Sequence, residues 1–479
     1  MTTDGTATAS EGSADADLRA RVAGLMPQAL SDLAELVAYR SVADPAVEDP
    51  EQCRLAAQWV ADAFAELGLT DAALVRTPDG TDAVIAHHEG PAGAPRVLLY
   101  AHYDVQPASN TQAWATDPFT LTERDGRFHG RGAADCKGSI VAHLTALRAL
   151  RPDGAYPVSL TVVIEGSEEQ GTGGLEQYVQ AHPEEFAADV ILIQDTGNVT
   201  VGQPTLTVSL RGVVDVIVRV EAVAGELHSG AFGGAAPDAL AALIAILATL
   251  RDADGNTTVR GLASDGVWDG VPYPEDAFRA EAGILPGGRR LGSGTVADQV
   301  WSRPALTVIG LDAPAVVGSV AAIQPRAAAR LNLRVPPGVD PDEAERLLRA
   351  HLADVAPWGV QVTTESGGNG RPYRADTSTP TFAALHEALG DAFGKPTVTS
   401  GQGGSIPLTA ALAAAQPEAS IVMLGLADPA SLMHAPNESV HPAEIEHTAL
   451  GVAMFLRRLG LAGAGEAHSG STGDLDPTG

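Results

Sequence analysis

Apolar runs alternate with stretches of helical spacing along the first 200 residues. Ala73–Arg76, Ala83–His87, Arg96–Asp104, Ser159–Glu165 and Val190–Ile193 read as strands. Between and before them, Leu18–Tyr39, Gln52–Leu67, Ser139–Leu150 and Leu175–Gln180 carry apolar residues at helical spacing, the first interrupted near Pro27. Gly68 is placed to stop the second helix. Strands separated by helices predict an α/β fold with a substantial parallel part. In such sheets ligands bind beyond the carboxyl ends of the strands. His102, Glu168 and Asp195 all fall there.

The pattern changes after residue 209. Leu206–Val223 holds two strand-like runs broken at Arg211-Gly212. Asp238–Leu250 and Pro341–Val355 read as helices, Ala328–Val335 and Val360–Thr364 as strands. This predicts a small α+β domain inserted over 210–373, with 252–304 as long loops. The α/β pattern resumes from Pro380, with a helix at Phe382–Phe393, a Gly-rich loop at Gly401–Ser405, a strand at Ser420–Leu424 and a helix at Ala443–Leu459. The expected division is a leader at 1–16 and a tail at 463–479, both disordered, around a main domain of 17–209 and 374–462.

The chain of 479 residues carries a formal charge of −30. Nucleic-acid affinity comes largely from basic groups that neutralise phosphates, so no nucleic-acid partner is expected. The longest apolar stretch, Ala239–Leu250, is too short to span a bilayer, and no membrane partner is expected. Met1–Asp17 shows no basic n-region followed by an apolar core, which points to a cytoplasmic protein. Two cysteines, Cys53 and Cys136, make neither a disulfide framework nor a cysteine-rich metal site.

Five sites, holding seven residues, carry the chemistry. His102 and Asp104 end a strand and share a face, so the carboxylate can hold one ring nitrogen and leave the other for a metal. Asp135 lies in Gly-Arg-Gly-Ala-Ala-Asp-Cys-Lys-Gly (130–138). Glu168 and Glu169 follow a strand, Asp195 ends the next, and His434 lies in Leu-Met-His-Ala-Pro-Asn-Glu-Ser (432–439). Singly, each has a plainer explanation: a helix cap, loop charges, a turn residue, a surface histidine. Glu168 and Glu169 point opposite ways in an extended chain, and their order stays open at this level.

Together with Leu-His-Ser-Gly (227–230) and Gly-Gly-Ser-Ile-Pro (403–407), these motifs resemble the di-zinc metallopeptidases related to acetylornithine deacetylase, succinyl-diaminopimelate desuccinylase, carboxypeptidase G and cytosolic carnosinase. The dipeptidase and carnosinase branch is most similar. The resemblance spans about 20 to 460. It implies a zinc-peptidase-like domain with a central mixed sheet plus an inserted lid and dimerisation domain. It implies one metal on His102, Asp135 and Asp195 and a second on Asp135, Glu169 and His434. Zn²⁺ is favoured, and Mn²⁺ or Co²⁺ suits the same donors. Asp104 would orient His102, and Glu168 would be the general base for water shared by the ions. His228 would stabilise the oxyanion in the partner subunit of a homodimer. Arg334, with Gly403, Gly404 and Ser405, would hold the substrate carboxylate. The expected activity is hydrolysis of dipeptides or short peptides. N-acyl amino acid deacylation is the first alternative and a non-catalytic binding protein the second. Two departures stand out. Gly401-Gln402 replaces an Arg-Glu common in carnosinase-like members. Cys136 replaces a second Asp and reads as a small packed residue.

Overall fold

The computed structural model describes residues 4–151 and 155–469, with side chains from 13 to 462. The chain divides into a larger unit, Met1–Val208, Ala375–Ser400 and Pro407–Gly479, and a smaller one, Ser209–Arg374 with Gly401–Ile406. In the larger unit one sheet runs in the order Ala73–Arg76, Asp82–His88, Ser159–Glu165, Arg96–His102, Val190–Gly197, Ser420–Ala427, Thr205–Leu210. Arg96–His102 is parallel to both of its neighbours, and Val190–Gly197 is parallel to Ser420–Ala427. The outer pairings are antiparallel, so the sheet is mixed.

The parallel strands are apolar without alternation because helices cover both faces. Val97 to Ala101 are completely buried. The helix Lys137–Leu150 is buried along almost its whole length, packed against Asp4–Ala38 and Pro442–Ser469. On the helix Pro50–Glu66, Asp49 caps the N-terminus by accepting from the Glu51 N–H, and Ala57, Val60 and Phe64 form the inward stripe. The parallel register sets His102 beside Glu165. That alignment puts the end of one strand and the 166–169 turn of the next at one edge of the sheet.

Both ends of the chain differ from expectation. The segment expected as a disordered leader is helical from Asp4, continuous with Asp4–Ala38; residues 1–3 lie outside the described residues. Asp15 anchors it through ion pairs with Arg457 and Arg458. Pro27 does not interrupt this helix. The missing N–H costs one helical hydrogen bond, and burial of Leu18, Val22, Ala29, Leu33, Leu36 and Val37 offsets the loss. The final helix runs on to Ser469 through residues expected to be a disordered tail, and 470–479 lie outside the described residues.

The smaller unit is a four-stranded antiparallel sheet in the order Ala305–Asp312, Arg326–Val335, Gly212–Glu221, Gln361–Gly370. Val214, Val216, Val218 and Val220 alternate inward onto the helices Ala239–Ala248 and Pro341–Asp354, meeting Leu243, Ile246, Leu348 and Leu352. Within 252–304, expected as loops, a helix forms at Glu275–Glu281 and a π-helical turn at Asp298–Ser302. The 401–406 loop, expected in the main domain, groups with the smaller unit. Among the described residues no helix is long and apolar enough to cross a membrane.

Candidate metal centre

His102 ends its strand with no exposed surface. Its Nδ1 lies 3.0 Å from the main-chain oxygen of Asp104. A ring nitrogen facing a carbonyl carries the hydrogen, which leaves Nε2 as the outward lone pair. That Nε2 stands 3.1 Å from Asp135 Oδ1 and 3.2 Å from Asp195 Oδ1. On the other side, His434 Nε2 stands 3.0 Å from Asp135 Oδ2 and 3.1 Å from Glu169 Oε2. Asp135 therefore turns one oxygen to each imidazole. Acceptor atoms this close repel unless a cation or a proton lies between them.

In the free chain protons do that work. Burial disfavours a charged His102 ring, yet the carboxylates of Asp195, Asp104 and Asp135 outweigh it and hold its pKa well above the usual range. Hydrogen bonds to Asp135 and Glu169 push His434 up to about 10. Burial, then the charge of Asp195, pushes Glu168 up to about 9. Glu169 Oε1 is buried and has no hydrogen-bond partner. Two imidazole nitrogens, hard carboxylate oxygens and one orphaned buried oxygen fit divalent ions.

The loops that carry these groups are fastened by residues of two kinds. Asp104 was expected to orient His102 with its carboxylate. The nearest contact is instead its carbonyl, with Oδ1 at 3.4 Å from Nδ1. The carboxylate also accepts the N–H groups of Glu168 at 3.2 Å and Glu169 at 3.0 Å, so it shapes the turn that presents both glutamates. Asp79 holds the same turn by accepting from the Ser167 hydroxyl at 2.8 Å, and from the hydroxyls of Thr77, Thr81 and Thr172. Gln106 donates to Glu169 Oε2 at 2.9 Å.

Glu438 is the functional residue that sequence reasoning missed. Its buried carboxylate receives Arg131 Nη1 at 2.6 Å and the N–H groups of Gly132, Ala134 and Asp135 at 3.0, 3.0 and 3.1 Å. It thereby ties the loop bearing Asp135 to the loop bearing His434. The only sequence signal was a glutamate four residues after that histidine. Cys136 comes within ligand range of His102 and Asp195. Its thiol, however, donates to the Gln194 carbonyl at 3.0 Å, and burial raises its pKa, so it stays protonated.

The remaining expected residues lie in the smaller unit. His228 Nδ1 accepts the N–H groups of Gly230 at 3.0 Å and Ala231 at 3.3 Å. The ring is exposed and its hydrogen falls on Nε2. Arg334 donates from Nη1 to Ser405 Oγ at 3.4 Å. A side chain at Gly404 would meet nothing, whereas one at Gly401 would start 2.6 Å from Trp301 Cβ and Cγ. Trp301 thus fills the space beside the position where an arginine was expected.

A mixed sheet with histidine and carboxylate donors gathered at its strand ends is the architecture of a metal-dependent hydrolase. Residues 98–458 match peptidase family M20/M25/M40, and the chain belongs to that family. It is 43% identical over 433 residues to a cysteinylglycine-S-conjugate dipeptidase of Corynebacterium striatum, covering 90% of this chain and 95% of that one. It is 29% identical over 385 residues to human Beta-Ala-His dipeptidase, covering 75% and 74% of the two chains. The dipeptidase Dug1p of Saccharomyces cerevisiae has the same fold, with a TM-score of 0.77 at 22% identity over 93% of this chain and 98% of that one.

Proposed function

We propose that the protein is a two-metal dipeptidase that cleaves dipeptides with a free amine and a free carboxylate, cysteinylglycine and its S-conjugates foremost. The observation that carries this reading is the position of Asp135, with one oxygen toward His102 and the other toward His434. His102, Asp135 and Asp195 would hold one ion, and Asp135, Glu169 and His434 the other. Zn²⁺ is the preferred ion. Divalent ions there supply Lewis acidity, which acidifies water and polarises a carbonyl. The kinship with the 43% identical dipeptidase supports the substrate class.

The chain's own residues supply the proton traffic and the positioning. In the free chain burial and then the charge of Asp195 push Glu168 up to about 9, which keeps it protonated at neutral pH; bound cations would lower that value, and the carboxylate would then take a proton from water and return it to the leaving amine. Asp104 fixes that carboxylate by holding the Glu168 N–H. His228, with Nδ1 engaged as a cap acceptor, offers Nε2–H as a donor to an oxyanion. In our reading that donor serves a second copy of the chain. The edge strand Ala305–Asp312 supports this, because among the described residues it pairs on one side only and exposes Val308, Ile309 and Leu311. Arg334 with Gly403, Gly404 and Ser405 would hold the substrate carboxylate. Both cysteines are free, which agrees with a cytoplasmic site of action.

The test is amine release from a panel reconstituted with Zn²⁺ or Mn²⁺. It contains cysteinylglycine, S-benzyl-cysteinylglycine, β-alanyl-histidine and their N-acetyl forms. The expected outcome is cleavage of the free-amine dipeptides. Cleavage of the acetylated substrates alone would reassign the protein as a deacylase, and cleavage of none would favour a binding role.

A further inference from the structure

In a chain with 60 acidic and 30 basic residues, arginines normally find carboxylates. Arg131, Arg148 and Arg330 pair with Glu438, Asp32 and Asp215. Arg211 and Arg334, like Arg251 and Arg279, donate instead to carbonyl or hydroxyl oxygens, and they differ from those in meeting one and the same loop. Asp215, the acid whose charge Arg334 feels, is engaged by Arg330 at 3.0 Å and Asn332 at 2.8 Å.

Arg211 is only 8% exposed, so its charge has lost most of its water. Nε donates to the Gly403 carbonyl at 3.2 Å, and Nη1 to those of Gln299 at 3.3 Å and Arg303 at 3.4 Å. Nη2 donates to none of them. A Cβ at residue 403 would lie 2.8 Å from that Nη2, so glycine keeps it clear. Arg334 meets the same loop two residues further on, at Ser405. The two guanidiniums bracket Gly403–Ser405, and burial, then the charge of Arg334, lowers Arg211 to about 10. Two cations held together without an anion are a poised anion site.

We propose that Arg211 is a specificity-determining residue: its unspent Nη2, with Arg334 and the Gly403–Ser405 loop, reads the C-terminal carboxylate of the peptide. This rests on the dipeptidase reading above. It supplies the second guanidinium that Gly401 does not, from a different part of the chain.

The experiment compares S-benzyl-cysteinylglycine with its C-terminal amide on the wild type, Arg211→Met and Arg211→Lys, all full-length and metal-loaded. The readout is the ratio of kcat/KM for acid over amide. Loss of a charge-assisted contact should lower that ratio about 10- to 100-fold in Arg211→Met, mainly through KM for the acid. Arg211→Lys keeps the charge and loses the fork, so a smaller fall, about threefold or more, is expected. It carries the test if the methionine variant does not fold. An unchanged ratio in either folded variant, even with both rates reduced, would assign Arg211 to holding the loop only and overturn the proposal. If the wild type cleaves neither substrate, the dipeptidase reading fails separately. Ligand-detected NMR binding of N-acetylglycine against N-acetylglycinamide then decides: preference for the acid that is lost in the variants supports the site, and equal preference in all three proteins refutes it.

Discussion

The larger unit's metal centre and the smaller unit's 401–406 loop are built by opposite means. Around the metal centre each loop is fixed by a buried carboxylate with several donors. Glu438 takes four hydrogen bonds between 2.6 and 3.1 Å. Around the 401–406 loop the contacts made by Arg211 and Arg334 are longer: 3.2 Å to the Gly403 carbonyl and 3.4 Å to Ser405 Oγ from the guanidiniums, and 3.3 Å from the Arg211 N–H to the Gln402 carbonyl. Chemistry needs donors held within a fraction of an ångström, and carboxylates with several partners provide that. Substrate choice needs a surface that can change without disturbing the reaction. In the proposed reading catalysis belongs to the over-determined region and specificity to the sparse one.

The largest effect should come from the reacting group. Glu168→Gln should lower kcat by about 10³-fold with metal content unchanged, measured by steady-state kinetics beside elemental analysis. A loss of bound metal equal to the loss of rate would make Glu168 a ligand and blur the contrast.

Next comes Glu438→Gln. Removing the charge opposite buried Arg131 should weaken metal binding about 10- to 100-fold and lower the thermal midpoint of the metal-free protein. Calorimetric metal titration reads the first effect. Unaltered affinity would mean that Glu438 serves folding alone.

Metal binding should also release protons. His434, with its pKa pushed up to about 10, is protonated at neutral pH in the free chain and must give up its proton to bind a metal. Affinity should therefore rise with pH between about 6.5 and 10. The sign for stability is opposite. His434's contribution to the metal-free fold is full below its ordinary pKa and is lost as pH rises through the raised value. Titrations in buffers of different ionisation enthalpy measure the protons released, and a count of zero would contradict the raised value.

A smaller effect tests the sparse region. Gly401→Arg must displace Trp301, which packs on Tyr273 with ring centroids 5.5 Å apart. Overpacking of this kind costs about 1–3 kcal/mol, read by chemical denaturation. A variant as stable as the wild type would show that the loop tolerates an arginine there.

The smallest concerns Asp79. Its partners hold its carboxyl below the ordinary range even though burial works the other way. Its contribution to stability is full above the ordinary carboxylate range and is lost as pH falls below it. The stability gap between wild type and Asp79→Ala should therefore narrow at pH 3 relative to pH 6. A gap independent of pH would remove its charge from the account.

The fold class was legible because it depends on local pattern, whereas the donor set was implied by the motifs' resemblance to a known family and not by its residues read singly. An apolar strand that stops at His102, or an acid just after a strand, marks a sheet edge from sequence alone. Glu438 was not legible, because its role exists only where two loops 300 residues apart meet. The helical part of the expected leader was hidden because its anchor, the ion pairs of Asp15 with Arg457 and Arg458, joins it to the far end of the chain. Strand Ala305–Asp312 was hidden for a different reason. It is an edge strand with much of its apolar surface exposed, so its inward and outward residues do not alternate cleanly.

The central claim is that Asp135 joins two metal sites. Its most direct test is titration of the metal-free protein with Zn²⁺, counting bound ions by elemental analysis while following S-benzyl-cysteinylglycine hydrolysis. The account predicts two ions per chain, activity complete only with the second, and loss of both in Asp135→Ala. Full activity with one ion, or two ions retained without Asp135, would contradict it.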